Sequence, residues 1–325
     1  MIIVDYKMDY KNINLLPRKC IVNSRSECDT SIVINNRKFR NPIIPANMSC
    51  VINEDIAVKL ASNGYFYIMH RFDIDIISFC KNMRDLGLFI SISVGVNQDT
   101  IDMLNELYHI HSIIPDFITI DIAHGHSIKM EETIKFIRST LGSIPFIIAG
   151  NVCTERGLRD LESWGANAVK IGIGPGSACT TYMTTGFGSR GIQPRCLNEC
   201  YNAKRKTDTI IIADGGIQEP GDIAKSLVLG ADMVMIGGMF SALIDSPGTI
   251  IEDSDGNNYK EFWGSASAFQ SGKKDRIEGT KKRMLLKDKT FIEEMDYLNQ
   301  CLQSAISYAG GNDISVLKSV DYIFH

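Results

Sequence analysis

The chain has 325 residues, of which 44% are hydrophobic and 22% are charged. This composition is typical of a globular protein and excludes a disordered chain, a collagen-like chain and a small scaffold held by disulfides. Lysine and arginine total 34 against 38 for aspartate and glutamate, and the resulting net charge of −4 argues against non-specific binding to nucleic acid or to an anionic membrane.

Targeting and cysteine patterns point to the cytoplasm. No apolar run reaches the roughly 18 residues that a membrane span needs, and the first residues lack the basic-then-apolar pattern of a signal peptide. The nine cysteines include no C-x-x-C pair, which disfavours a zinc ribbon or a dithiol redox site. We therefore expect a cytoplasmic protein that interacts with neither membrane nor nucleic acid.

Eight apolar, β-branched segments alternate with helix-like stretches along the chain. Most are apolar almost throughout, as expected for strands buried on both faces. Glycines and polar residues cluster where the segments end, and eight such units favour a (β/α)8 TIM barrel over an open doubly wound sheet. The segments are 41–48, 64–71, 88–95, 116–125, 145–152, 168–176, 209–217 and 232–240.

Helical patterns separate these segments, the clearest being 54–63, 154–165 and 220–230. We expect one α/β catalytic domain over 1–325, with an irregular lead-in over 1–40. The polar stretch 244–283 follows the eighth segment. An insertion of this length is usually functional or mobile, so we expect it to form a mobile active-site flap.

The sixth segment runs into the motif Gly-Ile-Gly-Pro-Gly-Ser-Ala-Cys-Thr-Thr at 172–181. Ser177 stands where the dinucleotide fingerprint G-x-G-x-x-G needs its third glycine, so a Rossmann site is disfavoured. The seventh and eighth segments end in Asp214-Gly-Gly216 and Gly237-Gly238. Paired glycines after these strands of a barrel favour a phosphate site, and Asp214 is suited to accept hydrogen bonds from a ribose diol.

These motifs carry a family resemblance. GIGPGSACTT, ADGGI, PGDIAKSLVLGADMVMIGGMF, YKEFWGSASAFQ and AISYAGG resemble the IMP dehydrogenase / GMP reductase family over essentially the whole chain. The second segment leads directly into the next helix and leaves no room for the CBS regulatory insert of the dehydrogenases. TTGFG at 184–188 and RIEG at 276–279 are similar to the reductase branch in its short bacterial form.

The resemblance implies an activity and a set of site residues. The implied reaction is NADPH-dependent reductive deamination of GMP to IMP and ammonia in a homotetramer, through a covalent thioimidate on Cys179. Its implied catalytic residues are Cys179, Thr181 and Glu278. The implied GMP residues are Ser177, Asp214, Gly215, Gly216, Gly237, Gly238, Gly264, Ser265, Ala266, Arg276, Ile277 and Gly279.

The resemblance also implies a cofactor site and a monovalent-cation site. The NADPH residues are Ser24, Arg25, Arg71, Asp121, Ile122, Ala123, Tyr308, Ala309, Gly310 and Gly311, some acting across a subunit boundary. Carbonyl groups of Gly174, Gly176, Cys179 and Tyr182 match the family's cation ligands, with K+ expected.

Some positions depart from the family pattern, and three alternative functions stay open. Tyr182 replaces an arginine, Arg71 replaces a lysine, and Asp275 falls where some reductases have an arginine. The first alternative is an IMP dehydrogenase without its regulatory domain. The others are a catalytically idle nucleotide sensor and a flavin-dependent barrel oxidoreductase.

Overall fold

The structure is a computed structural model that describes residues 8–272, 275 and 277–325. Its strands are β1 Ile13–Leu15, β2 Ile32–Ile34, β3 Arg37–Phe39, β4 Ile43–Pro45, β5 Ser91–Val94, β6 Phe117–Asp121, β7 Phe146–Val152, β8 Ala168–Ile171, β9 Ile210–Asp214, β10 Met233–Ile236, β11 Ile250–Glu252, β12 Asn258–Trp263, β13 Lys281–Leu285 and β14 Tyr322–Phe324.

Eleven α-helices are found in the described part of the chain, together with short turns of 3-10 or π helix at Tyr10–Asn12, Arg25–Glu27, Glu106–Ile110 and Ile314–Ser319. The α-helices are α1 Glu54–Ser62, α2 Ile76–Asp85, α3 Gln98–Asn105, α4 Ile128–Leu141, α5 Glu155–Trp164, α6 Thr181–Thr185, α7 Gln193–Ala203, α8 Pro220–Val228, α9 Gly238–Ser241, α10 Ala268–Ser271 and α11 Phe291–Tyr308. None of them is both long and apolar enough to cross a lipid bilayer.

Seven strands form the central parallel sheet, in the order β4-β10-β9-β8-β7-β6-β5. This is the chain order of a barrel, with the first strand beside the last, and helices connect the strands. The predicted α/β barrel class is therefore confirmed. The side chains of β5, β8 and β10 are buried along their whole length, as their apolar sequences predict.

The second predicted strand, 64–71, is reduced to a single parallel bridge between Met69 and Ile92. The reason is a side chain that takes over the ladder's hydrogen bonds. The Tyr67 hydroxyl donates to the Phe89 carbonyl at 2.7 Å and accepts from the Ser91 amide at 3.1 Å. These are backbone groups that a longer ladder would use, so the segment lies beside β5 in the expected place without forming a regular strand.

The helix ends follow the local sequence closely. The Thr154 side chain caps α5 by accepting from the Gly157 amide, and Gly165 ends the helix in the left-handed conformation. Pro220 occupies the first position of α8. The predicted helices at 54–63, 154–165 and 220–230 are thus confirmed to within two residues at each end.

Both the lead-in, predicted to be irregular, and the insertion, predicted to be a mobile flap, contain short regular elements. In the lead-in, β1 pairs with β14 and β2 pairs with β3. In the insertion, β11, β12 and β13 form an antiparallel sheet, and α10 lies between the last two of these strands. That the insertion moves stays a prediction.

The final helix, α11, runs from the carboxyl end of the barrel to the amino end. At its start, the Phe291 amide donates to Asp245, which follows α9. Further along, Asp296 accepts from the hydroxyl of Tyr65, at the beginning of the second segment. With 18 residues, α11 is about 27 Å long, so its last residues lie far from the carboxyl end of the strands.

Candidate active site

The glycine-rich turns after β8 and β9 lie against each other at the carboxyl end of the barrel. A Cβ atom added to Gly172 would be 2.0 Å from the Asp214 carbonyl oxygen, and one added to Gly215 would be 3.1 Å from the Pro175 ring. Gly172 has a φ of 148° and Gly215 a φ of 84°. The close approach and the backbone conformation both require glycine here.

The three predicted catalytic residues are brought together. The Thr181 hydroxyl donates to Glu278 Oε2 at 2.6 Å, and Cys179 Sγ lies 3.2 Å from Thr181 Oγ1. Because the threonine proton is donated to the carboxylate, the threonine oxygen can accept from the thiol, which also lies 3.6 Å from the Glu278 carbonyl oxygen, a second acceptor. The arrangement is a chain of two hydrogen bonds from thiol to carboxylate.

Backbone hydrogen bonds hold the insertion over the cysteine loop. The Thr180 amide donates to the Glu278 carbonyl at 3.0 Å, and the Thr280 amide donates to the Ala178 carbonyl at 2.8 Å. Cys179 and Gly279 form an antiparallel bridge between the two segments. The insertion therefore covers the cysteine, and this contact carries Glu278 to a hydroxyl 97 positions earlier in the chain.

A second set of hydrogen bonds ties the insertion to the barrel. Trp263 Nε1 donates to Gln270 Oε1 at 2.9 Å and to Ser49 Oγ at 3.2 Å. The Ser49 hydroxyl also donates to Gln270 Oε1. Since Ser49 follows β4, these three side chains, which we call the flap latch, join α10 to the body of the barrel.

Two carboxylates and one ammonium lie inside the barrel beneath this surface. Lys170 Nζ contacts Asp121 Oδ1 at 2.6 Å and Asp214 Oδ2 at 3.0 Å. Asn47 donates to Asp121 Oδ2 at 3.1 Å, and Asn151 donates to Asp214 Oδ2 at 2.7 Å. No hydrogen bond from another described residue reaches Asp214 Oδ1, which leaves that oxygen available to a ligand.

The charges of these groups stabilise one another. Burial disfavours the ionised form of Asp121, but the Lys170 ammonium and hydrogen bonds from Lys170 and Asn47 outweigh it, so the pKa of Asp121 lies below its usual value. Burial also disfavours the charged form of Lys170, but the two carboxylates raise the pKa of Lys170 above its ordinary value. Both shifts favour the charged forms of Asp121 and Lys170.

Most of the predicted GMP residues fall around the cysteine loop. A Cβ atom added to Gly264 would be 2.9 Å from the Ala178 carbonyl oxygen, and the Glu278 amide donates to the Ala266 carbonyl at 3.0 Å. Gly237 lies against the Phe262 ring in β12. The turns that hold Ser177, Asp214, Gly215, Gly216, Gly237, Gly238, Gly264, Ser265, Ala266, Ile277 and Gly279 thus lie at this end of the barrel, whereas Arg276 lies outside the described residues.

The predicted cation ligands fit a carbonyl site. Gly174 has a φ of 77°, and a Cβ atom added to it would be 3.4 Å from the Tyr182 amide nitrogen. The Gly176 carbonyl accepts from Cys179 and the Tyr182 carbonyl accepts from Gly186, which leaves each oxygen a second lone pair. The turn therefore has carbonyl oxygens suited to K+, a hard cation that prefers oxygen ligands.

The predicted NADPH residues separate into two groups at opposite ends of the barrel. Arg71 ends the second segment and Asp121 ends β6, so the first group, with Ile122 and Ala123, lies at the carboxyl end. In the second group, the Arg25 guanidinium lies 5.5 Å from the centroid of the Tyr308 ring. Ser24, Arg25 and 308–311 are therefore at the far end of α11.

Sequence reasoning missed Lys170, Asn47 and Asn151. A signal for Lys170 was present, because a charged residue in an otherwise apolar, fully buried strand requires a buried partner. The two asparagines gave no comparable signal, since Asn47 and Asn151 lie at strand ends where polar residues are common.

Comparison with known proteins agrees with this geometry. The family model described as "IMP dehydrogenase / GMP reductase domain" matches residues 7–324. A GMP reductase of Mesoplasma florum is 47% identical over 318 residues, covering 98% of each chain. A GMP reductase of Clostridium acetobutylicum is 50% identical over 317 residues, covering 97% of this chain and 94% of the relative.

A GMP reductase of Staphylococcus aureus strain Newman is also 50% identical over 317 residues, covering 97% of this chain and 95% of the relative. The matches extend over nearly the full length of each partner, so they include the barrel, the cysteine loop and the insertion together. The chain therefore belongs to the IMP dehydrogenase / GMP reductase family.

Proposed function

We propose that this protein is a GMP reductase, which converts GMP to IMP and ammonia and so interconverts purine nucleotides. The observation that carries the proposal is the hydrogen-bonded chain from Cys179 through Thr181 to Glu278. Relatives named GMP reductase at 47–50% identity over nearly the whole chain support the same assignment.

The residues of this chain can perform the first step without an added acid or base. The Cys179 sulfur attacks C2 of the guanine and forms an S–C2 bond as the C2–N bond to the amino group breaks. The thiol proton passes through Thr181 to Glu278 and from there to the departing amine, which leaves as ammonia. The purine is then held as a thioimidate on Cys179.

The second step returns the cysteine to its starting state. Bound NADPH would supply a hydride to C2. The Cys179 thiolate then leaves as the S–C2 bond breaks, IMP is released, and the thiolate takes up a proton from solvent to restore the thiol. During both steps the insertion excludes water from the adduct, which keeps the thioimidate from being hydrolysed before reduction.

The proposed ligand sites all lie at the carboxyl end of the barrel. The paired glycines after β9 and β10 would face the GMP phosphate, and Asp214 would accept from the ribose hydroxyls. Arg71 and Asp121 would hold the nicotinamide half of NADPH, and the carbonyls of the cysteine loop would hold K+. The phosphorylated ligands are also the reason we infer a cytoplasmic location.

The second NADPH group lies at the amino end of the same barrel, too far away to meet the first within one chain. Both groups contact one cofactor only where two protomers meet, with the amino end of one barrel, which carries Tyr308, against the carboxyl end of the other, which carries Arg71. We therefore propose a homo-oligomer, a tetramer in the form the family resemblance suggests, with cofactor sites at its subunit boundaries.

The alternative is an IMP dehydrogenase that lacks its regulatory domain, which would use the same cysteine with water attacking the adduct. A steady-state assay separates the two functions. GMP with NADPH should give loss of absorbance at the reduced-nicotinamide band, whereas IMP with NAD should give little gain. Faster turnover of IMP with NAD would overturn the proposal.

A further inference from the structure

The buried lysine at the centre of the barrel occupies an unusual position. Lys170 lies in β8 and is 1% exposed. Its ammonium contacts one carboxylate from β6 and one from β9, and its third close neighbour is the Met235 sulfur at 3.9 Å. A buried ammonium is tolerated only where its charge is paired, and here the pairing is with two acids at once.

The two carboxylates belong to different proposed ligand sites. Asp214 ends β9, beside the paired glycines of the nucleotide site, and Asp121 ends β6, beside the proposed nicotinamide site. Each carboxylate also accepts a hydrogen bond from an asparagine that does not contact the other carboxylate. Asn151 donates to Asp214, and Asn47 donates to Asp121. Among the residues that the structure describes, Lys170 is the donor that both carboxylates share.

We propose that Lys170 is a positioning residue for both ligands, so that the affinities for GMP and for NADPH depend on one buried ammonium. This inference rests on the proposed function. By contacting Asp121 at 2.6 Å and Asp214 at 3.0 Å, Lys170 fixes the direction of both carboxylates, so that each is ready to accept hydrogen bonds from hydroxyl or amide groups of its ligand.

Removal of the ammonium has a chemical consequence beyond lost contacts. The two carboxylate oxygens touch the same nitrogen, so they lie within about 6 Å of each other, a range in which like charges raise a carboxyl pKa. The Arg71 guanidinium also acts on Asp121 and lowers its pKa, but by less than Lys170 does. Without Lys170 the pair would retain a proton near neutral pH, and a protonated carboxyl loses acceptor capacity.

The test is Lys170→Gln, with GMP binding measured by calorimetry and NADPH binding by fluorescence between pH 7 and 9. We expect both affinities to fall about tenfold or more at pH 7. The ratio of variant to parent affinity should rise with pH as the shared proton is released. Taking this ratio cancels titration of the ligand phosphates, and a purely structural defect would not produce the pH dependence.

Two controls separate this role from general damage. Asn47→Ala removes a donor from Asp121 alone and should weaken NADPH binding while GMP binding stays within twofold. Met235→Leu keeps an apolar contact with Lys170 and should change neither affinity. If Lys170→Gln does not fold, Lys170→Arg retains the charge without the compact shape, and both affinities should fall together with a pH-independent ratio.

The outcomes distinguish the inference from the proposed function. A parent protein that binds neither GMP nor NADPH would contradict the proposed function itself. A parent that binds both, with a Lys170 variant that weakens only one ligand or neither, would overturn the shared role of Lys170 and leave the proposed function standing.

Discussion

The short contact between Thr181 and Glu278 fixes the direction of the hydrogen bonds at the cysteine. At 2.6 Å it is within the range of charge-assisted O–H···O bonds, in which the Thr181 hydroxyl donates its proton to the Glu278 carboxylate. The Thr181 oxygen is then able to accept from the thiol, whose other acceptor is the Glu278 carbonyl, and through Thr181 the thiol proton has a route to the Glu278 carboxylate. The same route in reverse can deliver a proton to the leaving amine.

The role of the nucleophile is tested by Cys179→Ala. We expect this variant to keep its GMP affinity within an order of magnitude, because phosphate and ribose contacts supply most of the binding. Turnover should be lost, because no S–C2 bond can form. Calorimetry and the NADPH absorbance assay measure the two quantities, and substantial residual turnover would show that another group attacks the purine.

The role of the acid–base residue is tested by Glu278→Gln. We expect the overall rate to fall by about 10²–10⁴-fold, because ammonia must then leave without its proton donor. Single-turnover kinetics with NADPH deuterated at the transferred hydrogen should show an isotope effect that shrinks toward unity, since deamination becomes limiting. GMP binding should change little.

A matched control for this variant is Glu261→Gln. Glu261 is also in the insertion, but its carboxylate pairs with Lys281 at 2.6 Å and is not bonded to Thr181. Its rate should stay within about twofold of the parent. A full isotope effect with an unchanged rate in Glu278→Gln would exclude Glu278 from the proton path.

Single residues were predictable from the sequence where a motif surrounds them. Cys179 lies in a distinctive loop, and Thr181 follows it by two positions. Glu278 was assigned by family resemblance alone, since a glutamate in a polar segment carries no signal of its own. The Lys170 contacts join strands 44 and 49 residues away in the chain, and only the barrel's closure brings those side chains together.

At the scale of elements, the bridge over the cysteine and the flap latch are two of the contacts that hold the insertion in place, and the Cys50 thiol, which donates to the Trp263 carbonyl, is another. In the latch, the side-chain oxygen of Gln270 accepts hydrogen bonds from both the Trp263 indole and the Ser49 hydroxyl. Since both donors use the same acceptor, loss of Gln270 would release α10 from β4 and from β12 together.

We therefore expect Gln270→Ala to shift the insertion toward an open state. The exposed fraction of Cys179 should rise, and its alkylation by iodoacetamide, followed by mass spectrometry, should accelerate several-fold. The rate of turnover should fall, because Glu278 leaves Thr181 when the insertion opens. Cys20, which is exposed, serves as an internal reference for the reagent.

Gln98→Ala is the control for this prediction. Gln98 also donates a side-chain hydrogen bond, to Asp102 within α3, but it lies outside the insertion. Cys179 alkylation should be unchanged in that variant. Equal alkylation rates in Gln270→Ala and the parent would mean that the insertion's other contacts, the backbone bridge among them, keep it closed without the latch.

The sequence predicted elements well where burial and caps agree, and less well where a side chain competes with the backbone. Apolar runs located the seven strands of the sheet, and capping residues located the helices. The second segment was equally apolar, but the Tyr67 hydroxyl forms hydrogen bonds with the Phe89 carbonyl and the Ser91 amide, which a regular strand would bind through its backbone. A pattern of apolar residues cannot predict that a side chain takes the place of the backbone in these hydrogen bonds, because this depends on where the Tyr67 hydroxyl lies in three dimensions.

At the scale of the whole molecule, the barrel sets the distance between the two groups of predicted NADPH residues, which no local sequence feature could show. The sequence grouped Arg25 and Tyr308 with Arg71 and Asp121 through family resemblance. The structure places the two groups at opposite ends of the barrel, with Tyr308 at the far end of α11, a helix about 27 Å long. A single cofactor contacts both only if the protein assembles with one protomer's amino end against another's carboxyl end.

A complementation experiment tests this arrangement. Tyr308 is 57% exposed, so Tyr308→Ala should fold normally and raise the KM for NADPH, with the KM for GMP unchanged. Cys179→Ala should be inactive for a different reason. Co-expression of these two variants with different tags gives mixed oligomers in which one protomer supplies an intact Cys179 and its neighbour an intact Tyr308.

If the cofactor site spans two protomers, random mixing should restore about a quarter of the parental activity at low NADPH, because a quarter of the boundaries then carry both intact residues. If both residues serve the same protomer's site, every protomer retains one defect: the Cys179→Ala half is inactive, and activity stays at about half that of the Tyr308→Ala homo-oligomer. Mixing the two proteins after separate purification, without subunit exchange, provides the baseline. Activity no higher than that baseline would place the complete cofactor site within one chain and require the Tyr308 end to have another role.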